Sequence, residues 1–126
     1  KMAATFSNNV YDKGLEYIDN NVDALYICDT QPTNYTEATS TYALGNKAAP
    51  VISAPQAGDV SGRKVTVSAI ADGSVTADGT AIWYALTYST GTELVVAQEL
   101  TSSQVVTNGN TFTTNALDIE LPAPTA

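Results

Sequence analysis

The feature that most constrains this chain is the two-residue alternation that sets in after Gly58. Val65, Val67 and Ala69 are interleaved with Lys64, Thr66 and Ser68. A period of two sends one set to a buried face and the other to water, which is the pattern of a β-strand. Further on, Ile82, Tyr84, Leu86 and Tyr88 form one alternating set, and Ala81, Trp83 and Ala85 form the other. Both sets are apolar, so this strand is expected to be central and covered on both faces. Turn chemistry punctuates the runs at Asp72-Gly73, Asp78-Gly79, Ser89–Thr92 and Asn108-Gly109-Asn110. Leu94–Ala97 then pairs as the hairpin partner of the Ile82–Tyr88 strand. Thr101–Gln104 reads as a loop or a single helical turn. Thr111–Leu121 reads as the last strand, with Phe112 on one face and Leu117, Ile119 and Leu121 on the other. That switch of parity predicts a β-bulge near Asn115.

The N-terminal half follows a different period. Tyr11, Leu15, Ile18, Val22 and Leu25 recur every three or four residues, behind the helix-capping candidates Ser7, Asn8 and Asn9. Asn20-Asn21 supplies a stop signal, because asparagine tolerates the left-handed conformation that ends helices. A helix is predicted near 9–20 and a short buried strand near 24–29. Residues 30–49 are expected to be irregular, with one short helical turn between Tyr35 and Tyr42 and a turn at Gly45-Asn46. Val51–Ala54, bracketed by Pro50 and Pro55, reads as a short edge strand. The predicted organisation is an N-terminal arm (1–9), a single β-rich domain (10–121) and a C-terminal tail (122–126), with no internal repeat. The expected fold class is mainly β: an antiparallel sandwich or partly closed barrel with one N-terminal α-helix packed on it.

Composition removes several functions. The 126 residues contain no histidine, which excludes Ser-His-Asp triads and histidine metal sites within this chain. One cysteine, Cys28, excludes an internal disulfide framework. Thirteen acids against five bases give a net charge of -8, a poor match to a polyanion, so no nucleic-acid role is expected. Charged residues make up only 14%, against about 25% typically, and threonine, serine and asparagine leave a neutral polar surface. No apolar run is long enough to span a bilayer. Lys1 and Met2 precede Ala-Ala-Thr-Phe-Ser rather than a long apolar core, so no secretory leader is expected.

The remaining chemistry-bearing residues are read one by one. Asp72 with Asp78, or Glu93 with Glu99, would be the carboxylate pair of a glycosidase. Acids in Asp-Gly turns more often bind their own backbone. Asp72-Gly73-Ser74 through Asp78-Gly79 lacks the ligand spacing of a calcium loop. Cys28, inside Leu25-Tyr26-Ile27-Cys28, reads as a small core residue. Asn34-Tyr35-Thr36 fits a glycosylation acceptor pattern by coincidence. The helix is expected to cover the chain's own sheet. Trp83 and the seven tyrosines serve as core, as partner contacts or as a sugar platform. No catalytic residue, cofactor or metal is expected, and the chain is read as a non-enzyme.

Several segments together resemble a known group of proteins. They are Phe6–Asp12, Ile27–Pro32, Gly62–Val67 through Asp72–Thr76, Gly79–Leu86, and Gly109–Thr111 to Leu117–Pro122. Across most of the chain they resemble small structural proteins of tailed double-stranded DNA bacteriophages, a group without a catalytic motif. The resemblance implies a virion component, assembled in the bacterial host cytoplasm. The acidic balance favours the outer surface of the capsid over its DNA-filled interior. The expected function is capsid decoration, cementing the major capsid protein, with possible homo-oligomers. The alternatives are a tail, neck or fibre component, or a glycan-binding host-attachment module. Met2, Phe6, Trp83, Pro122 and Pro124 are the candidate partner contacts.

Overall fold

The computed structural model of the chain describes residues 7–58 and 62–121. In chain order the elements are α1 (Asn8–Asn21), β1 (Ala24–Cys28), a π-helical turn (Glu37–Thr41), β2 (Ala43–Ala48), β3 (Gln56–Ala57), β4 (Arg63–Val67), β5 (Ile70–Val75), β6 (Gly79–Tyr88), β7 (Glu93–Val106), β8 (Thr111–Thr114) and β9 (Leu117–Leu121). They form two compact units, one drawn from 1–21, 51–68 and 116–126, the other from 22–50 and 69–115. The chain is mainly β with one N-terminal helix, as the alternation implies. All strand pairs are antiparallel.

The first unit is a three-stranded sheet, β3-β4-β9, with α1 packed on β4. Val65 opposes Ile119 in the ladder and both are buried. The helix presents Tyr11, Leu15 and Ile18, the buried residues that set its period. Its first turn is closed by Val10 N–H donating to the Ser7 carbonyl at 3.1 Å. At the other end the Asn21 side chain turns back and donates to the Tyr17 carbonyl at 2.9 Å. Arg63 crosses to the helix and grips Asp12 through two nitrogens, at 2.9 and 3.4 Å. The edge strand expected at Val51–Ala54 is reduced to one bridge, Ile52 to Val67. The flanking prolines lack ladder donors, which keeps the segment short. The sheet edge is Gln56–Ala57 instead.

The second unit is a curled six-stranded half-barrel, ordered β7-β6-β1-β2-β5-β8. β6 lies between β1 and β7, the central place its doubly apolar pattern requires. Directly opposed residues of an antiparallel ladder share a face. The pairs Leu25–Leu86 and Ile27–Tyr84 therefore line one face, continued by Val75 and Phe112. All six are buried and make the core of this unit. The Tyr84 hydroxyl donates to Gln98 Oε1 at 2.8 Å, so its polar end is satisfied.

Four local expectations change. Gly45-Asn46 lies inside β2, not in a turn. A side chain at Gly45 would strike the Ser74 carbonyl of the next strand, so the glycine serves close strand approach. Asp72-Gly73 lies inside β5, with the Phe112 ring packed directly over Gly73. Thr101–Gln104 stays within β7, although the register to β6 slips there: Trp83 opposes Glu99 while Ala81 opposes Gln104. The expected single last strand is two, β8 and β9, in different sheets. The parity switch at Asn115 is thus the passage from one sheet to the other.

Candidate interaction surfaces

Of the five contact residues read from the sequence, Trp83 lies on β6, half-buried. Met2, Phe6, Pro122 and Pro124 lie outside the described residues. Among the acids, Asp72 pairs with Lys47 at 3.0 Å. Asp78 accepts from the Asn108 backbone N–H at 2.7 Å, clasping the β7–β8 turn to the start of β6. Glu93 and Glu99 oppose Tyr88 and Trp83 in the ladder. Six strand residues separate them by about 20 Å, against the roughly 5–10 Å of a glycosidase pair.

Cys28 is fully buried. Its thiol donates to the Ala38 carbonyl at 3.7 Å. Burial, with a smaller contribution from Asp29, pushes its pKa up to about 12. Such a thiol is no nucleophile at neutral pH. Asn34 accepts from the Glu37 N–H at 2.8 Å, and Glu37 accepts from the Thr33 N–H and hydroxyl at 2.8 and 2.7 Å. The hydrogen bonds from Thr33 hold the Glu37 carboxyl below the usual carboxylate range. These bonds tie Thr33 and Asn34 to the first residue of the π-helical turn, which closes with Tyr42 N–H on the Glu37 carbonyl at 2.9 Å.

The ladder brings two aromatic residues together on the face of the second unit opposite its core, a face that the π-helical turn covers at Cys28, and strand-by-strand reading misses the pairing. One row across five strands runs Ser74, Asn46, Tyr26, Ala85, Ala97. The next row runs Cys28, Trp83, Glu99. Tyr26 and Trp83 are thus diagonal neighbours on one face, beside the fully covered Ala85. Both rings are half-buried. Burial raises the Tyr26 pKa, with Tyr35 and Asp23 adding to the effect. The only sequence signal for this pairing was the Tyr26-Ile27-Cys28 run, whose register to β6 is a tertiary fact.

The first unit carries a second surface. Val10 and Tyr17 are exposed at 57% and 44% on the helix, and Leu121 on β9 at 39%. Val10, Gly14 and Tyr17 lie on one helix face, at the i, i+4, i+7 spacing. A side chain at Gly14 would meet only the Leu121 methyl, at an ordinary 3.7 Å. Sterics within the chain therefore do not require this glycine, which costs an interior helix position about 1 kcal/mol.

The charge balance is equally specific. Lys13, Lys47, Arg63 and Lys64 are the cations among the described residues, and each pairs with an acid, at 3.4, 3.0, 2.9 and 3.2 Å. Among the described residues no three His, Cys, Asp or Glu side chains are grouped to hold a metal ion. No described helix is long and apolar enough to cross a membrane. Comparison of the chain with protein-family models, with curated proteins and with solved structures finds no match.

Proposed function

We propose that this chain is a bacteriophage virion structural protein that decorates the outer capsid surface and cements the major capsid protein. The observation that carries the reading is the exposed apolar patch of Val10, Tyr17 and Leu121 around Gly14. A helix that gives up stability at an unhindered glycine, between two exposed apolar side chains, suits close approach by a partner. The paired cations support an outer location, since they leave the acidic surplus unopposed and no basic stripe for packaged DNA. The segment resemblance supplies the class of partner.

The mechanism is repetition. Each copy buries a modest apolar area at a junction between capsid subunits, at about 25 cal/mol per Å². Many such contacts on one shell sum to a large resistance to expansion and rupture. The reading needs no catalytic group, cofactor, nucleic acid or membrane.

The test is stoichiometry with occupancy. Quantitative mass spectrometry of purified virions is expected to find a simple ratio of this chain to the major capsid protein. Val10→Asp with Tyr17→Ala is expected to strip the chain from particles while its circular dichroism stays unchanged. A few copies per particle would place it in the tail or neck and sink the decoration reading. Absence from purified virions would remove the structural reading altogether.

A further inference from the structure

Every open sheet ends in unpaired N–H and C=O groups, and natural sheets blunt those edges. Of the four edge strands among the described residues, three are blunted. β3 is two residues long and follows Pro55. β8 is four residues long, and the Gln104 side chain donates to its Thr113 carbonyl at 2.9 Å. β7 slips register against β6 twice, and such irregularities bend an edge strand away from a partner. β9 is the exception. It pairs with β4 over five consecutive residues without a slip and contains no proline, glycine or lysine. Among the described residues nothing pairs with its other edge. The helix points to the same place. Arg63 and Leu121 sit on the sheet face that α1 covers: Arg63 reaches Asp12, and Leu121 is what a side chain at Gly14 would meet. Gly14 shares its helix face with the exposed Val10 and Tyr17. That face is thus the one turned toward β9, and the sheet stops there with both apolar side chains exposed.

We propose, resting on the reading of this patch as a docking surface, that β9 takes an extended segment of the partner protein as the fourth strand of its sheet. The unpaired backbone edge supplies the ladder, and alternation sets the chemistry of the added strand. On the helix side its residues meet Leu121, Val10 and Tyr17, so they are apolar. On the other side they meet Asp118 and Glu120, which share a face with Lys64 and Thr66. That face holds two acids against one base, and Asp118 already holds Lys64 at 3.2 Å. Opposite charges across a ladder stabilise it, so the residues on this side are lysine or arginine. The same two acids exclude the nearest competitor, the β9 of a second copy. Two such strands paired antiparallel about Ile119 would set Asp118 against Glu120 twice, and like charges directly opposite are destabilising. The occupant is therefore a strand in which basic and apolar residues alternate.

The probe is a dye-labelled heptapeptide of alternating lysine and valine, titrated with purified full-length chain and read by fluorescence anisotropy. Saturable binding is expected. The same residues in two blocks keep the charge but lose the alternation, and should bind about tenfold more weakly. N-methylation separates strand addition from charge attraction, because successive residues of a strand turn their N–H groups to opposite edges. Methylating the amides of one residue type should abolish binding, and methylating those of the other should leave it. Val10→Lys, at an exposed helix position, is expected to weaken binding about tenfold with circular dichroism unchanged. Val105→Lys adds the same charge on β7, where the side chain is also exposed, and should change nothing. Equal binding of the block peptide would reduce the contact to charge and overturn the proposal. So would no saturable binding by a folded chain, or binding that Val10→Lys leaves intact. A dimer of the free chain that Val10→Lys dissociates would assign the edge to a second copy and overturn it too. Particles that carry the chain in a simple ratio to the capsid protein while the peptide fails would leave decoration standing without strand addition. Peptide binding by a chain absent from particles would do the reverse.

Discussion

The two units solve one problem in different ways. A sheet with an apolar face must cover it. The six-stranded sheet curls, and its own side chains (Leu25, Ile27, Tyr84, Leu86, Phe112) fill the concavity. The three-stranded sheet is too narrow to wrap around anything, so α1 lies on β4 with Leu15 fully buried. The units also differ in the sequence distance they close. β6 and β7 meet across a four-residue turn, whereas Lys64 and Asp118 pair across 54 residues. Local hairpins close cheaply and long loops at greater entropic cost. Both units carry cross-element ion pairs: Arg63–Asp12 and Lys64–Asp118 in the smaller, Lys47–Asp72 in the larger.

The comparison can be broken most sharply in the cores. Phe112→Ala should cost about 3–5 kcal/mol and Leu15→Ala about 2–5 kcal/mol. Urea unfolding followed by circular dichroism measures both. A loss below about 1 kcal/mol for Leu15→Ala would mean that the helix does not seal its unit.

Cys28 tests how tightly the larger sheet is covered. With its pKa pushed from 9.0 to about 12, native alkylation at pH 8 should run about a thousandfold slower than in urea. The sign of the pH effect follows. Above pH 9 the unfolded thiol ionises while the native one keeps its proton. Stability is therefore lost as pH rises from 9.0 toward about 12.

Gly45→Ala probes the strand spacing of the same sheet. The added methyl meets backbone, which cannot rotate away, so a loss of about 3 kcal/mol is expected in the same unfolding assay. In the smaller unit, Arg63→Gln should cost about 1 kcal/mol, because the pair is only partly buried and solvent screens it. The loss should shrink in high salt.

The smallest effect has the opposite sign. Gly14→Ala should stabilise the chain by about 0.5–1 kcal/mol, since the site has room for a methyl. If the patch is a docking surface, the same substitution should lower capsid occupancy. A variant that is both more stable and fully bound would show that the glycine serves no close approach.

Much of this was readable in the chain. The helix period placed α1 to within a residue at each end; the alternations named Val65 and Val67 of β4 and Ala81, Tyr84, Ala85 and Leu86 of β6 as buried, whereas Ala69, expected with them, lies exposed past the end of β4. The failures share one cause. Gly45-Asn46 and Asp72-Gly73 are strong turn dipeptides, yet each lies within a strand, because a neighbour comes too close for a side chain. Local propensity does not know how near the next strand lies. The run at 111–121 broke into two strands for a similar reason: a parity switch marks a change of face, and only the ladder partners show that the sheet changes too.

The aromatic pair on β1 and β6 makes the same point. Trp83 stood out in the sequence as a residue whose role was open between core, partner contact and sugar platform. Tyr26, 57 positions earlier, became its neighbour through the register of β1 on β6. The sequence by itself determined the class of fold, the acidic balance, the absence of histidine chemistry and the buried period of each main element. These depend on residue type and on spacing within one element. The tertiary structure decided which acids are tied up, which apolar residues stay exposed and which rings share a face. Those depend on strand order and register, where contacts between distant segments outweigh the preferences of the residues that make them.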